Sequence, residues 1–524
     1  MNNVKVLDCT LRDGGYINNW AFGEREIKGI ISQLEAADID IIETGFLRPE
    51  EHVKESSIFS DTKQIERYIC KKKEGIQYAV MIESRNYKNL SLSKYDGNSI
   101  DIIRITFRKN EWQEAKENIK DIIAKGYKVC IQPVGSALYD DQSMINLIKD
   151  VNEIKPYAFY LVDTLGVMYR DDMRKFFYLI DNNLSNDILL GYHSHNNLQM
   201  AFANAQEMTR LNKHRAIIID AACYGMGRGV GNLATELIAD YINNNIQQKY
   251  SLTPILNIVD KYLMPIYASQ RWGYDLPYFL SASKKCHPNY AAYLMGKETL
   301  NIESIEKILS LIPLGSRNEY DAKLIDALYH KMQSFDYEDS NSYEVFSQDV
   351  GGKEVLILGP GTSIVSYKNV VQEKSMNRVV IATNFVPSDY RIDALFISNE
   401  KRLNSFNELQ VEKVLATSNL KDDFNADLFF NYSSLLGEGD ASDNAGAMLI
   451  RILKKAGAKK ILLAGFDGFE ADSSQNYAVE TFKKSLDYNT AQKKNSVISK
   501  QLKLALSGIE YEFITPTKYE ISNI

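Results

Sequence analysis

ILLGYHSHNN, residues 188–197, decides how this chain is read. ILLGY (188–192) is an apolar run short enough to be one buried strand. Residues i and i+2 of a strand point to the same side, so His193 and His195 face one point just past the strand's end. The chain has six histidines, and two of them stand here. Working outward, seven further runs share this form. They are NVKVLDC (3–9), IDIIETG (39–45), IQYAVMI (76–82), IDIIRIT (100–106), YKVCIQP (127–133), AFYLVDT (158–164) and AIIIDAA (216–222). Between them lie helical patterns such as EREIKGIISQLEAA (24–37) and WQEAKENIKDIIAK (112–125). Eight strands with eight crossovers, at roughly thirty residues per unit, match a (β/α)8 TIM barrel over residues 1–250. An open doubly wound sheet is the alternative. Polar residues repeated at the strand C-termini favour the closed barrel.

In that fold the chemistry sits on the C-terminal rim. Arg12 and Asp13 follow strand 1, Glu43 and Thr44 close strand 2, and Arg104 and Thr106 lie on strand 4. Gln132 ends strand 5, Asp163 and Thr164 end strand 6, and Asp220 ends strand 8. Taken singly, Thr44, Thr106 and Asp220 read as helix caps or as polar groups satisfying the barrel mouth. Arg12 with Asp13 and the histidine pair resist that reading. Strands 1 and 7 are separated only by strand 8, which lets Asp13 reach a metal held by His193 and His195. Two imidazoles and a carboxylate with open positions suit Mn2+ or Mg2+, and Zn2+, Co2+ and Fe2+ are compatible. Such an ion chelates the carboxylate and keto oxygen of a 2-oxo acid and stabilises its enolate. Arg12 adds a permanently charged donor for the developing oxyanion; in a purely structural role it would be a salt bridge of the barrel mouth. Glu43, Arg104, Gln132, Asp163 and Thr164 are the substrate-binding candidates.

With 524 residues, two or three domains are expected. Hydrophobic residues at 45% and charged residues at 25% are ordinary for a soluble globular protein. A net charge of −7 leaves no basic excess for nucleic acid. MNNVKVLDCT has no signal-peptide pattern, and no apolar stretch approaches a membrane span. Cys9, Cys70, Cys130, Cys223 and Cys286 form no Cys-x-x-Cys, which suits a reducing compartment. A cytoplasmic homo-oligomer is the expectation.

Residues 251–345 lose the strand pattern and read as a helical module packed on the barrel. SIEKILSLI (304–312) and AKLIDALYHKMQSF (322–335) are amphipathic, and KKCHPNYAAYLMGK (284–297) carries His287 and Tyr290. DYEDSNSYEVFSQDVGG (336–352) reads as a polar linker. From 353 to 524 a second α/β pattern follows. KEVLILGPGTSI (353–364), NRVVIATN (377–384), ALFIS (394–398) and KKILLAGFDG (459–468) are its strands, and DNAGAMLIRILKKAGA (443–458) is a helix. This suggests a Rossmann-like domain, without the G-x-G-x-x-G that dinucleotide binding needs.

LDCTLRDGG (7–15), His193-Ser194-His195-Asn196-Asn197, Asp163-Thr164-Leu165-Gly166 and GMGRGVGNLATE (225–236) together resemble the DRE-TIM metallolyases. That superfamily includes HMG-CoA lyase, isopropylmalate synthase, the pyruvate carboxyltransferases and 4-hydroxy-2-oxovalerate aldolase. The resemblance covers about residues 1–250. It implies that Asp13, His193 and His195 are metal ligands, that Arg12 stabilises an enolate, and that Asn197 is a further contact near the metal or substrate. It implies a metal-dependent aldolase acting on a 2-oxo acid, pyruvate above all, and an aldehyde, which the fused C-terminal domain suggests is sugar-derived. The oxovalerate aldolases carry a histidine base where Tyr16 stands here, so Tyr16, His287 and Tyr290 are the candidates for proton transfer. A Claisen synthase or lyase using acyl-CoA is the alternative, as is a non-catalytic barrel scaffold. GPGTSI (359–364), ATNF (382–385) and residues 443–469 resemble, more loosely, the DUF115 and sialyltransferase-like group. By that likeness Gly359, Gly361, Thr362 and Asn384 line a nucleotide or nucleotide-sugar pocket; a structural or dimerising domain competes with it.

Overall fold

The structure is a computed structural model that describes residues 4–521, except 70, 213, 334–336, 407–410, 438–442, 473, 475, 480–481 and 484–485. Cys70 therefore lies outside the described residues; the cysteines within them, Cys9, Cys130, Cys223 and Cys286, are buried free thiols.

Each apolar run of the first 250 residues forms a parallel strand. These are β1 (Val4–Asp8), β2 (Ile41–Leu47), β3 (Gln77–Glu83), β4 (Ile102–Phe107), β5 (Lys128–Pro133), β6 (Ala158–Asp163), β7 (Leu189–Ser194) and β8 (Ile217–Ala221). Every strand pairs with the next, and β8 returns to β1 with Val4 opposite Ile217 and Asp8 opposite Ala221. The barrel is closed. Alternation divides the strands between two cores. Val4, Val6, Ile103 and Ile105 pack outward under the helices, while Leu7, Cys9, Ile41, Ala79, Ile102, Cys130, Ala158, Tyr160 and Ile218 fill the interior.

Five crossovers are α-helical, α1 (Glu24–Ala36), α2 (Trp112–Ala124), α3 (Asp141–Ile154), α4 (Arg170–Asp181) and α5 (Ala201–Leu211), and a sixth helix, α6 (Thr235–Asn245), follows the last strand. On α1 the buried residues Ile27, Ile30, Ile31 and Leu34 follow the i, i+3, i+4, i+7 spacing of one helical face. After β2 and β3 the short 3-10 turns Thr62–Ile65 and Ser84–Asn89 occur instead, and Ile58–Phe59 adds a two-residue strand beside β2.

The chain divides into two compact units, Met1–Ala292 with Ile312–Tyr320, and Tyr293–Leu311 with Asp321–Ile524. The expected helical module 251–345 is thus shared between them. In the barrel unit, residues 312–320 are strapped to 284–290. His287 N–H donates to the Arg317 carbonyl, Arg317 Nη1 to the Lys284 carbonyl, and Tyr290 Oη to the Ser316 and Glu319 carbonyls.

The second unit holds a parallel sheet of β9 (Glu354–Leu358), β10 (Val379–Thr383), β11 (Ala394–Ile397), β12 (Val414–Thr417), β13 (Leu428–Phe430), β14 (Lys460–Ala464) and β15 (Glu510–Phe513). Its order, β13-β12-β11-β10-β9-β14-β15, reverses direction at β9 and β14, as in a doubly wound sheet. Val355 and Ile357 face one core with Phe346 and Met448; Leu356 and Leu358 face another with Ile364 and Leu395. The segment expected as a linker is a helix over Ser340–Val350 that buries Tyr343, Phe346 and Val350. Those three apolar residues make a helical face that the polar composition around them hid. Among the described residues no helix is long and apolar enough to cross a membrane.

Candidate metal centre in the barrel mouth

Strand parity builds the site. Two residues beyond the interior residues Ile41, Ile102, Cys130 and Ile218 stand Glu43, Arg104, Gln132 and Asp220, on the same inward side. The apolar floor thus passes into a charged layer. Arg12 Nε donates to Glu43 Oε2 at 2.8 Å and Arg104 Nη1 donates to the same oxygen at 2.6 Å. Arg104 Nη2 donates to Asp220 Oδ2, which also bonds His193 Nδ1 at 3.0 Å. Arg12 Nη1 lies 3.0 Å from Asp13 Oδ1, and His193 Nε2 lies 3.5 Å from Asp13 Oδ2. The six side chains close a ring in which carboxylates alternate with guanidinium or imidazole groups, every member at most 5% exposed. Gln132, with its amide oxygen turned inward, accepts from Arg104 Nε at 2.8 Å.

Asp13 Oδ2 also lies 3.6 Å from His195 Nε2, yet it has no hydrogen-bond partner. A buried carboxylate oxygen left bare beside two imidazole nitrogens is costly unless a cation sits among them. Burial opposes ionisation of Asp13, but Arg12 and both imidazoles outweigh it and hold the carboxyl well below its usual range. Burial keeps His195 neutral, its pKa pushed down to about 3. Asp220 holds Nδ1 of His193, leaving Nε2 directed at Asp13, the arrangement by which a carboxylate orients a metal-binding histidine. Cys9, not singled out from the sequence, has its Sγ within 4.8 Å of ligand atoms of Asp13 and His193. The donor set fits a divalent ion. Arg12 Nη2, also buried and without a partner, is a free donor next to it.

A cavity of about 830 Å³ opens over this centre. Arg12, Asp13, Tyr16, Gln132, Thr164, His193, His195 and His287 line it, as expected residues do. Arg85, Arg108, Lys109, Arg228, Asn318 and Glu319 line it as well and had not been foreseen. Burial raises the Tyr16 pKa and Asp13 adds to the rise, so this phenol stays protonated. Burial lowers His287 to about 4 and Arg228 adds to the fall; its Nδ1 accepts from the Asn289 N–H. At neutral pH its Nε2 is therefore an N–H donor.

Five expectations change. Glu43 and Arg104 lie beneath the cavity rather than on its wall, where they pin Arg12 and Asp220. Asp163 turns away, because Val162 is the inward residue of β6; its carboxylate accepts from Val167 and Met168 N–H at 2.9 Å each. Burial raises its pKa to about 6. Asn197 Nδ2 donates to the Leu165 carbonyl and fixes the same loop. Tyr290 is fully buried, with its hydroxyl committed to the 312–320 strap.

In the second unit the glycine turn has a different use. A Cβ on Gly361 would fall 2.5 Å from the Asp467 carboxyl carbon. That carboxylate accepts from Ser363 N–H at 2.7 Å, from Ser363 Oγ, and from Thr362 Oγ1 at 3.3 Å. It fills the space against this turn, where the nucleotide or nucleotide-sugar pocket expected of Gly361 and Thr362 would lie. Gly359 passes against Gly465, whose carbonyl would lie 2.6 Å from a Cβ there. Asn384, at φ +56°, accepts from Ser398 N–H and joins the ends of β10 and β11.

The HMGL-like family pattern matches residues 3–261. An oxaloacetate decarboxylase of Mycobacterium tuberculosis is 27% identical over 242 residues, 44% of this chain and 68% of its own length. A 4-hydroxy-2-oxovalerate aldolase of Thermomicrobium roseum is 24% identical, over 48% of this chain and 69% of that one. The crystal structure of the N-terminal domain of a candidate aldolase from Bacteroides vulgatus is 24% identical, covering 58% of this chain and 99% of that domain at a TM-score of 0.49. Residues 3–261, which carry the closed barrel and its charged ring, are an HMGL-like domain.

Proposed function

We propose that this chain is a divalent-metal-dependent aldolase that makes or breaks a carbon–carbon bond between the enolate of a 2-oxo acid, pyruvate in the simplest case, and an aldehyde. The observation that carries this reading is the bare Asp13 Oδ2 facing His193 Nε2 and His195 Nε2, with the free Arg12 Nη2 beside it. When bound, the ion supplies Lewis-acid polarisation of the oxo acid's oxygens. Arg12 donates Nη2 to the oxygen on which enolate charge develops, and Glu43 and Asp13 hold it in place for that task. Three carboxylates face two guanidiniums in the ring, leaving one net negative charge to help retain a dication. Tyr16 offers a proton to the aldehyde oxygen as it becomes an alkoxide, and the His287 Nε2–H offers the same oxygen a hydrogen bond. The names of the relatives, an oxovalerate aldolase and an oxaloacetate decarboxylase, both denote 2-oxo acids. Deuterium exchange at the pyruvate methyl group tests the reading. Exchange should require the metal and vanish in His193→Ala. Exchange at the unmodified rate in that variant removes the mechanism, and turnover of oxaloacetate without any aldehyde reaction reassigns the barrel as a decarboxylase.

A further inference from the structure

The loop GMGRGVG (225–231) after β8 carries one long polar side chain, Arg228. Its backbone is tightly held. Gly225, Gly229 and Gly231 have φ of +60°, +71° and +92°, and a Cβ on Gly231 would fall 2.0 Å from the Gly225 carbonyl oxygen. Asn232 N–H donates to that carbonyl, and Asn232 Nδ2 donates to the Met226 carbonyl. Met226 and Val230 are buried. Arg228, by contrast, lines the cavity with Tyr16, His195 and His287, its guanidinium carbon 5.6 Å from the Tyr16 ring centre.

The other cations of the cavity wall are engaged. Arg85 pairs with Glu83 at 2.7 Å, Arg108 with Glu319 at 2.5 Å, and Lys109 with Asp140 at 3.2 Å. Arg228 is half-buried, and its guanidinium forms no hydrogen bond or ion pair with any described residue; only its backbone carbonyl is used, accepting from Gly231 N–H. A guanidinium fork held without a counter-ion beside neutral groups matches the planar oxygens of a carboxylate or phosphate.

We propose that Arg228 binds the anionic group of the acceptor, so that the aldehyde substrate is a carboxylated or phosphorylated one. This rests on the aldolase reading. The donor oxo acid is served by Asp13, the two histidines and Arg12 Nη2, whereas Arg228 stands against Tyr16, the proton donor assigned to the aldehyde oxygen.

Calorimetry on the full chain loaded with Mn2+ tests it, using succinate and glycerol 3-phosphate as anionic probes and glycerol as the neutral one. At least one anionic probe should bind, and Arg228→Gln should weaken it about 10- to 100-fold, with Arg228→Lys in between. In turnover, the preference for succinic semialdehyde or glyceraldehyde 3-phosphate over propionaldehyde should fall by a similar factor. Equal probe binding by the unmodified chain and Arg228→Gln overturns the proposal. So does a variant that raises the pyruvate concentration needed for methyl exchange while leaving the choice among aldehydes alone, since Arg228 then holds the donor. If no methyl exchange occurs in the unmodified chain but Arg228→Gln still abolishes probe binding, the aldolase reading and the aldehyde assignment fall while the anion site stands.

Discussion

Arg104→Met should destabilise the barrel by about 3–5 kcal/mol at pH 7.5, the usual cost of breaking a buried ion pair from one side. Arg104 is fully buried, pairs with Glu43 and Asp220, and lies over the Tyr160 ring at 5.0 Å. Without it, Glu43 keeps Arg12 at 2.8 Å and Asp220 keeps His193 at 3.0 Å, but three carboxylates then face one guanidinium. The cheapest relief is a proton on one of them. In the unmodified chain burial opposes ionisation of Asp220, yet Arg104 and His193 hold its pKa low, so its contribution to stability weakens as pH falls. In the variant a carboxyl acquires a folded-state pKa above its unfolded value. Its native form then keeps the extra proton at low pH, and stability falls as pH rises through that window. The deficit should therefore be small near pH 4.5 and full at pH 7.5. Urea unfolding followed by tryptophan fluorescence isolates the effect, because Trp20, Trp112 and Trp272 all lie in the barrel unit. Adding Asp220→Asn to the variant should restore part of the loss. Equal midpoints at pH 7.5, or the same deficit at both pH values, would refute the ring.

Asp163 supplies an opposite test of burial. Its folded pKa near 6 exceeds the ordinary 3.8, so its component of stability is present at low pH and is lost as pH rises from about 4 to 6, by roughly 3 kcal/mol. Asp163→Asn should flatten that part of the stability profile measured by urea unfolding; an unchanged slope contradicts the assignment. Tyr290→Phe leaves the Ser316 and Glu319 carbonyls without their donor, at a cost of about 1–3 kcal/mol, and should speed proteolysis within 312–320. Unaltered cleavage there means the hydroxyl anchors nothing. Asp467→Ala removes the acceptor for Ser363 and Thr362 and should lower the stability of the second unit by about 1–2 kcal/mol, read by circular dichroism, with tryptophan fluorescence as the control for the barrel unit.

All eight barrel strands could be read from the sequence because each is buried on both faces and shows as an unbroken apolar run. The cluster of Asp13 with the two histidines was legible for a similar reason, since His193-Ser194-His195 combines strand parity with an unusual residue pair. The ring was not, because a sequence shows Glu43, Arg104 and Asp220 at strand ends without saying which oxygen two guanidiniums share. Parity held more than was taken from it. Val162 packs in the barrel interior, so Asp163 had to turn the other way and serve its own loop. The helix Ser340–Val350 was hidden because three buried residues were outweighed by the polar ones around them. Val414–Thr417, Leu428–Phe430 and Glu510–Phe513 were missed because strands of three or four residues carry almost no periodic signal. Arg228 escaped notice inside a motif read only for its glycines.

Anomalous diffraction from crystals of the full chain soaked in Mn2+ tests the central claim most directly. The account predicts one strong peak within about 2.0–2.3 Å of Asp13 Oδ2, His193 Nε2 and His195 Nε2, lost in His193→Ala. A peak elsewhere, or Asp13 bonded to the two imidazoles with no ion among them at saturating Mn2+, contradicts it.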